Sequence, residues 1–340
     1  MRCLIVGDVH WSTYSSILMS RNDECSTRLS LLLDSVNWAE NLSREENCDI
    51  VVYLGDFFDR ANLNQEECTI LQKVVWNADA RHIFLVGNHE SSFADLRYSS
   101  TKILEKNGFT IIDKPMTISG LTFIPYLSDA NQIDLHDVVK DILHPHPIVF
   151  SHNDIKGIQY GAYTSKSGFD IEDIRSLGGL FVNGHLHNQE KFFDDGRMYA
   201  LNLGNLTGQN FNEDAFRYPH QVMTLDTETR EYAFHDNPKA IGFYKIDENH
   251  HDDLDRIGDN AVVWVRCEEN EKEGIVEKLK KLNVLAYRTT IVQNVASNQD
   301  KPVDAHIDAS LDHLNRFREF VMERIGTSDV VLEELEEVCK

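Results

Sequence analysis

The chain has 340 residues, with 56 acidic and 33 basic side chains and a formal net charge of −23. A field of that sign repels polyanions, so the surface as a whole is not that of a nucleic-acid-coating protein. Any phosphate substrate has to be held by metal or by a concentrated local patch. Hydrophobic residues make up 41%, as in a globular domain with room for a smaller second one, and no apolar run approaches the ~18 residues of a membrane span.

In chain order, Cys3 to Val6 reads as a buried strand, without the long apolar stretch and small-residue cleavage site of a signal peptide. Arg28 to Leu42 carries Leu29, Leu32, Leu33, Val36 and Ala39 at helical spacing. Asp49 to Leu54 is a second buried strand, Glu66 to Val75 a helix, His82 to Val86 a third strand and Leu96 to Lys106 a helix. Thr110 to Ile112 and Leu121 to Pro125 flank a Ser119-Gly120 turn and are expected to form a hairpin. A short helix at Leu135 to Leu143 precedes two apolar strands, Ile148 to Phe150 and Leu180 to Val182. Two hairpins follow, around Asp194-Asp195-Gly196 and around Thr227-Glu228-Thr229. The order βαβαβα and then mostly β predicts an α/β sandwich with helices outside.

From about Ile241 the pattern changes. Val262 to Arg266, Glu271 to Leu282 and Tyr287 to Val292 read as a small βαβ unit. From Asp304 a helical stripe of Ile307, Leu311, Leu314, Phe317 and Val321 follows, with Gly326 as C-cap and Ser328 or Asp329 opening a last helix. The expected division is a core over 1–240, a small α/β cap over 241–300 and a helical segment over 301–340. Six cysteines lie far apart with no paired spacing, which predicts reduced thiols and a cytoplasmic setting.

Five β segments end in polar clusters: Gly7-Asp8-Val9-His10, Gly55-Asp56-Phe57-Phe58-Asp59-Arg60, Gly87-Asn88-His89-Glu90, Ser151-His152-Asn153 and Gly184-His185-Leu186-His187. Taken singly, each has a bland reading: a strand-end cap, a loop ion pair, a helix N-cap or a hydrogen-bonded core histidine. Taken together, at the carboxyl ends of strands in an α/β sheet, they are expected to meet at one rim. Their carboxylate, imidazole and amide donors suit Mn²⁺, Fe or Zn²⁺ better than soft metals. Seven donors exceed the need of one tetrahedral ion and fit two ions sharing a carboxylate. Such a pair would clamp a phosphoryl group.

The ordered set resembles the calcineurin-like metallophosphoesterase superfamily, whose signature runs GDxH, GDxxDR, GNH[DE], H and GHxH. The resemblance spans about residues 1–205 and implies a four-layer αββα core with two metal ions. It assigns Asp8, His10 and His187 to one ion, Asn88, His152 and His185 to the other, and Asp56 to both. It further implies that His89 protonates the leaving oxygen, that Asp59 orients that histidine and that Arg60 contacts substrate. Mn²⁺ is the expected metal, with Fe or Zn²⁺ as alternatives.

The terminal GHxH pair sets the chain apart from the protein-phosphatase branch. The extension beyond the core, together with Ile118 to Tyr126, resembles SbcD-type DNA-repair nucleases, most closely the compact bacteriophage recombination-endonuclease version. Cellular members often carry His at the position of Asp59. The resemblance implies a homodimeric DNA exo- or endonuclease, located in the cytoplasm (the host's, if phage-encoded) and not at a membrane. Its C-terminal helices would dock on an SbcC-type ATPase. The alternatives are a stand-alone small-molecule phosphodiesterase or phosphomonoesterase, or a scaffold without activity.

Overall fold

The computed structural model describes residues 1–292 except 16, 19, 93–94, 129–134, 141–146 and 161–162. Met1–Val292 forms one compact unit. The helices expected beyond Asp304 lie outside the described residues.

The strands, in chain order, are β1 (Arg2–Val6), β2 (Ile50–Tyr53), β3 (Arg81–Leu85), β4 (Thr110–Ile112), β5 (Met116–Ile118), β6 (Leu121–Ile124), β7 (Ile148–Ser151), β8 (Gln159–Tyr160), β9 (Tyr163–Thr164), β10 (Leu180–Asn183), β11 (Glu190–Asp194), β12 (Arg197–Asn202), β13 (Gln221–Asp226), β14 (Tyr232–Asp236), β15 (Gly242–Ile246), β16 (Ala261–Cys267) and β17 (Ala286–Ile291). The α-helices are α1 (Thr27–Glu45), α2 (Gln65–Leu71), α3 (Leu135–Val139), α4 (Ile171–Ser176) and α5 (Lys272–Lys281).

Two six-stranded sheets, β14-β13-β1-β2-β3-β4 and β11-β12-β10-β7-β6-β5, make the centre. Alternation within each strand explains how they pack. Cys3, Ile5, Ile50, Val52, Ile83 and Leu85 of the first sheet meet Leu121, Phe123, Ile148, Phe150, Leu180 and Val182 of the second. The intervening residues Leu4, Val6, Val51, Tyr53 and Phe84 pack under Leu29, Leu32 and Val36 of α1. On the far side, Val149 and Phe181 pack with Leu135 of α3 and Ile174 of α4. Both faces of the central strands β1, β2, β3, β6, β7 and β10 are covered, so these strands read as unbroken apolar runs. The result is the four-layer αββα sandwich expected from the sequence.

Helix α1 starts where Ser26 accepts a hydrogen bond from the Leu29 amide at 3.2 Å. The helix expected at 66–75 ends earlier, at Leu71, and the one expected at 96–106 is a 3₁₀ helix over Ser100–Asn107, closed by Gly108 in the left-handed conformation. The hairpin expected between 110–112 and 121–125 forms differently. Ser119 (φ 53°) and Gly120 (φ 80°) make a two-residue turn that joins β5 to β6. Strand β4 instead runs parallel to β3 in the other sheet. Pro115, which cannot donate to a ladder, separates the two segments.

The βαβ pattern read at 262–292 is present as β16-α5-β17, with parallel strands. A third strand not read from the sequence, β15, runs parallel to β16. Val263, Val265 and Cys267 face Ile275 and Leu279 of α5. Phe243 and Val262 pack with Leu18, Leu31 and Phe211 of the core.

Candidate metal centre

Strands β1, β2 and β3 are parallel neighbours in one sheet, and β7 and β10 in the other. Each of the five polar clusters therefore leaves its sheet at the carboxyl end, and the facing sheets bring them to one rim. The turns are sharp. Asp56 (φ 45°), His10 (φ 50°) and His185 (φ 73°) all lie in the left-handed region, a cost of about 1–3 kcal/mol each that recurs at functional sites. Gly87 is required by closeness, because a Cβ there would overlap Asp56 Oδ1. Gly55 (φ 111°) is required by conformation, and a side chain there would strike the His152 ring.

At one end of the rim, His10 Nε2 and His187 Nε2 lie 3.0 Å apart. Asp8 Oδ2 is 3.9 Å from each. That oxygen is buried with no hydrogen-bond partner, while Asp8 Oδ1 accepts from the His185 amide at 3.0 Å. The outer nitrogen of each ring meets a carboxylate: His10 Nδ1 lies 3.2 Å from Asp59 Oδ1, and His187 Nδ1 lies 2.7 Å from Glu213 Oε1. An ionised carboxylate only accepts, so each Nδ1 carries the proton and each Nε2 turns a lone pair inward.

At the other end, His152 Nδ1 donates to the Leu54 carbonyl at 2.9 Å. Its Nε2 then points at two oxygens, Asn88 Oδ1 at 3.2 Å and Asp56 Oδ2 at 3.2 Å. His185 presents Nδ1 to Asn88 Oδ1 at 2.9 Å, with its Nε2 3.3 Å from Asp154 Oδ1.

Electrostatics agree with this crowding. Burial pushes the His152 imidazole down, yet Asp56 and Asp8 outweigh burial and lift it to about 9. Burial would raise Asp56, but His152, His10 and His89 hold it well below the usual carboxylate range. Burial keeps His10 low despite Asp59. Lone pairs, carboxylate oxygens and one orphaned oxygen facing each other at these distances are a donor set that fits divalent cations. The groupings Asp8–His10–His187 and Asp56–His152–His185 could each hold one. A third grouping, His10–Asp59–His89, is closed by its own hydrogen bonds, because His89 Nδ1 donates to the Asp59 carbonyl at 3.0 Å.

The chain matches the calcineurin-like phosphoesterase family over residues 1–195. It belongs to that family. Comparison with curated proteins returns no significant match. Membership makes the protein a metal-dependent phosphoesterase, and no helix among the described residues is long and apolar enough to cross a membrane.

Within this family site, all seven expected ligands converge and His89 borders them, its side chain 43% exposed. The Asp59 carboxylate lies closer to His10, at 3.2 Å, than to His89, at 3.9 Å. Arg60 does not join the cluster. Its guanidinium pairs with the buried Glu67, and its Nε donates to the Asn62 carbonyl at 3.1 Å. Glu90 accepts from the Gly87 amide at 2.7 Å and the Phe58 amide at 3.1 Å, tying two of the loops together. Sequence reasoning missed Glu213 and Asp154. Glu213 sits in a loop with no motif of its own, whereas Asp154 directly follows the Ser151-His152-Asn153 cluster, and folding brings each to its histidine.

Proposed function

We propose that the chain is a phosphodiester hydrolase acting on DNA, the nuclease subunit of an SbcCD-like repair or recombination complex, using two divalent ions: Mn²⁺, as the family resemblance implies, with Fe or Zn²⁺ compatible with the same donors. The observation that carries the hydrolytic part of the reading is the convergence of seven donors from five strand ends around the unpartnered Asp8 Oδ2. In this reading Asp8, His10 and His187 would hold one ion, Asn88, His152 and His185 would hold the other, and Asp56 would serve both. Bound there, the ions supply the positive charge that grips phosphate oxygens and offsets the charge of an in-line displacement.

His89 does the proton work. Its Nδ1 is spent on the Asp59 carbonyl, which leaves the Nε2 of this 43%-exposed side chain to protonate the leaving oxygen. The Asp59 carboxylate holds His10 in the tautomer an ion needs. The three-stranded sheet, fastened to the loop whose Glu213 bonds His187, supports a long polymeric substrate over a small one. The net charge of −23 supports a helper with basic surface: an SbcC-type ATPase docked on residues 301–340, with the chain acting as a homodimer.

The test is hydrolysis by the purified chain with Mn²⁺, on single-stranded DNA, blunt duplex and a small chromogenic diester, with and without the ATPase. Chelator-sensitive DNA degradation is the expected result. Cleavage of the small diester alone, even with the ATPase added, would overturn the DNA assignment in favour of a stand-alone phosphodiesterase.

A further inference from the structure

Glu213 lies beyond the segment that matches the family, yet it touches the metal centre. It is 1% exposed. Its Oε1 takes the His187 Nδ1 proton at 2.7 Å and a hydrogen bond from Asn210 Nδ2 at 3.0 Å. Its Oε2 accepts from Asn205 Nδ2 at 2.8 Å and from the Gln209 amide at 2.8 Å. Four donors thus fix the carboxylate, and the carboxylate fixes the imidazole ring so that Nε2 faces Asp8 and His10.

The loop that carries Glu213 is also fastened to the appended sheet. The Gly208 amide donates to the Ile241 carbonyl at 3.0 Å, and the Ala215 amide to the Phe243 carbonyl at 3.0 Å. The Ile241 amide donates to Thr207 Oγ1 at 2.7 Å. The Phe211 ring lies 5.2 Å from Phe243 and 5.6 Å from Trp264, centroid to centroid.

We propose that Glu213 is a positioning residue for His187, through which the appended sheet sets the affinity of the ion held by Asp8, His10 and His187. The Asn88, His152 and His185 ion is independent of it. The inference rests on the two-ion reading of the site.

The experiment is a Mn²⁺ titration of the metal-free full chain, with free Mn²⁺ followed by electron paramagnetic resonance. Wild type is expected to take up two ions. Loss of an outer partner of a metal-ligating histidine weakens binding by about 10–100-fold. Glu213→Gln keeps an acceptor and is expected near the low end, and Glu213→Ala near the high end, each for one ion only. Phe211→Ala, which replaces neither a ligand nor a hydrogen-bond partner of one, is expected to weaken the same ion several-fold. The unaltered second ion shows that each variant is folded, and Glu213→Gln decides the matter should the alanine variant fail to fold. Two ions bound as tightly as in wild type by Glu213→Gln and Glu213→Ala, or equal weakening of both ions, would overturn the positioning role. Wild-type affinities in Phe211→Ala would overturn the link to the sheet. A wild type that takes up no ion would instead refute the two-ion reading itself.

Discussion

His10 Nε2 and His187 Nε2 face one another at 3.0 Å, and each ring turns its other nitrogen to a carboxylate, Asp59 for His10 and Glu213 for His187. Two inward lone pairs at that distance repel, and the buried Asp8 Oδ2 adds a carboxylate oxygen with no hydrogen-bond partner beside them. The native fold therefore holds an arrangement that a cation relieves.

Metal binding should accordingly stabilise the protein. An ion that binds the native state alone adds about 2.7 kcal/mol when its free concentration is 100 times its Kd. Thermal melts of chelator-treated protein should shift upward as Mn²⁺ is added. His10→Ala should remove much of that shift. Identical melting with chelator and with saturating Mn²⁺ would count against a metal centre.

His89 should matter to chemistry far more than to metal uptake. Its Nδ1 is engaged by the Asp59 carbonyl, and removal of a general acid costs about 10²–10⁴-fold in rate. The loss in His89→Ala should be large for diesters with alkoxide leaving groups and small for nitrophenyl esters, whose leaving oxygen needs no proton. Mn²⁺ binding should stay at two ions. Equal losses on both substrate types would remove His89 from the acid role.

The reach of the sequence follows from how each residue arrives at the site. Asp8, Asp56, Asn88, His152 and His185 ride on the ends of apolar strands, and strand, glycine and ligand are consecutive letters in four of the five. The sandwich was legible for the same reason, since strands covered on both faces have a plain apolar signature. Glu213 and Asp154 arrive from loops, and their chemistry exists only through contacts with His187 and His185. The partition of β4 and β5 between different sheets was hidden too, because the turn at Ser119-Gly120 says that a hairpin forms but not which upstream segment supplies its first strand. Strand β15 ends in Lys245 and Ile246 after aromatic residues, too short a run to stand out before folding pairs it with β16.

Two glycines separate the demands of the site from those of the helices. Gly87→Ala would drive a methyl group into Asp56, both its carboxylate and its main chain. It should destabilise the fold by about 1–3 kcal/mol, as overpacking does, and weaken Mn²⁺ binding. Gly274 lies in α5, exposed, and a methyl group there would meet nothing within 4 Å. Gly274→Ala should stabilise by about 0.5–1 kcal/mol and leave metal binding alone. Denaturant titrations of both variants, with Mn²⁺ titrations alongside, check the pair.

Arg60 tests whether a motif letter can serve the scaffold rather than the substrate. Glu67, fully buried, caps α2 reciprocally with Asn64: the Asn64 amide donates to Glu67 Oε2 at 2.9 Å, and the Glu67 amide donates to Asn64 Oδ1 at 2.9 Å. It also accepts from the Thr13 amide at 2.8 Å. The Arg60 guanidinium supplies its counter-charge from a side chain 41% exposed. Solvent screens that pair, so its loss should cost about 1 kcal/mol or less. Arg60→Ala should lower the denaturation midpoint slightly and leave KM for a small diester within about twofold of wild type. Arg60→Lys, which keeps the charge, should restore the midpoint. A KM raised tenfold or more with unchanged stability would instead show that Arg60 leaves Glu67 to meet the substrate.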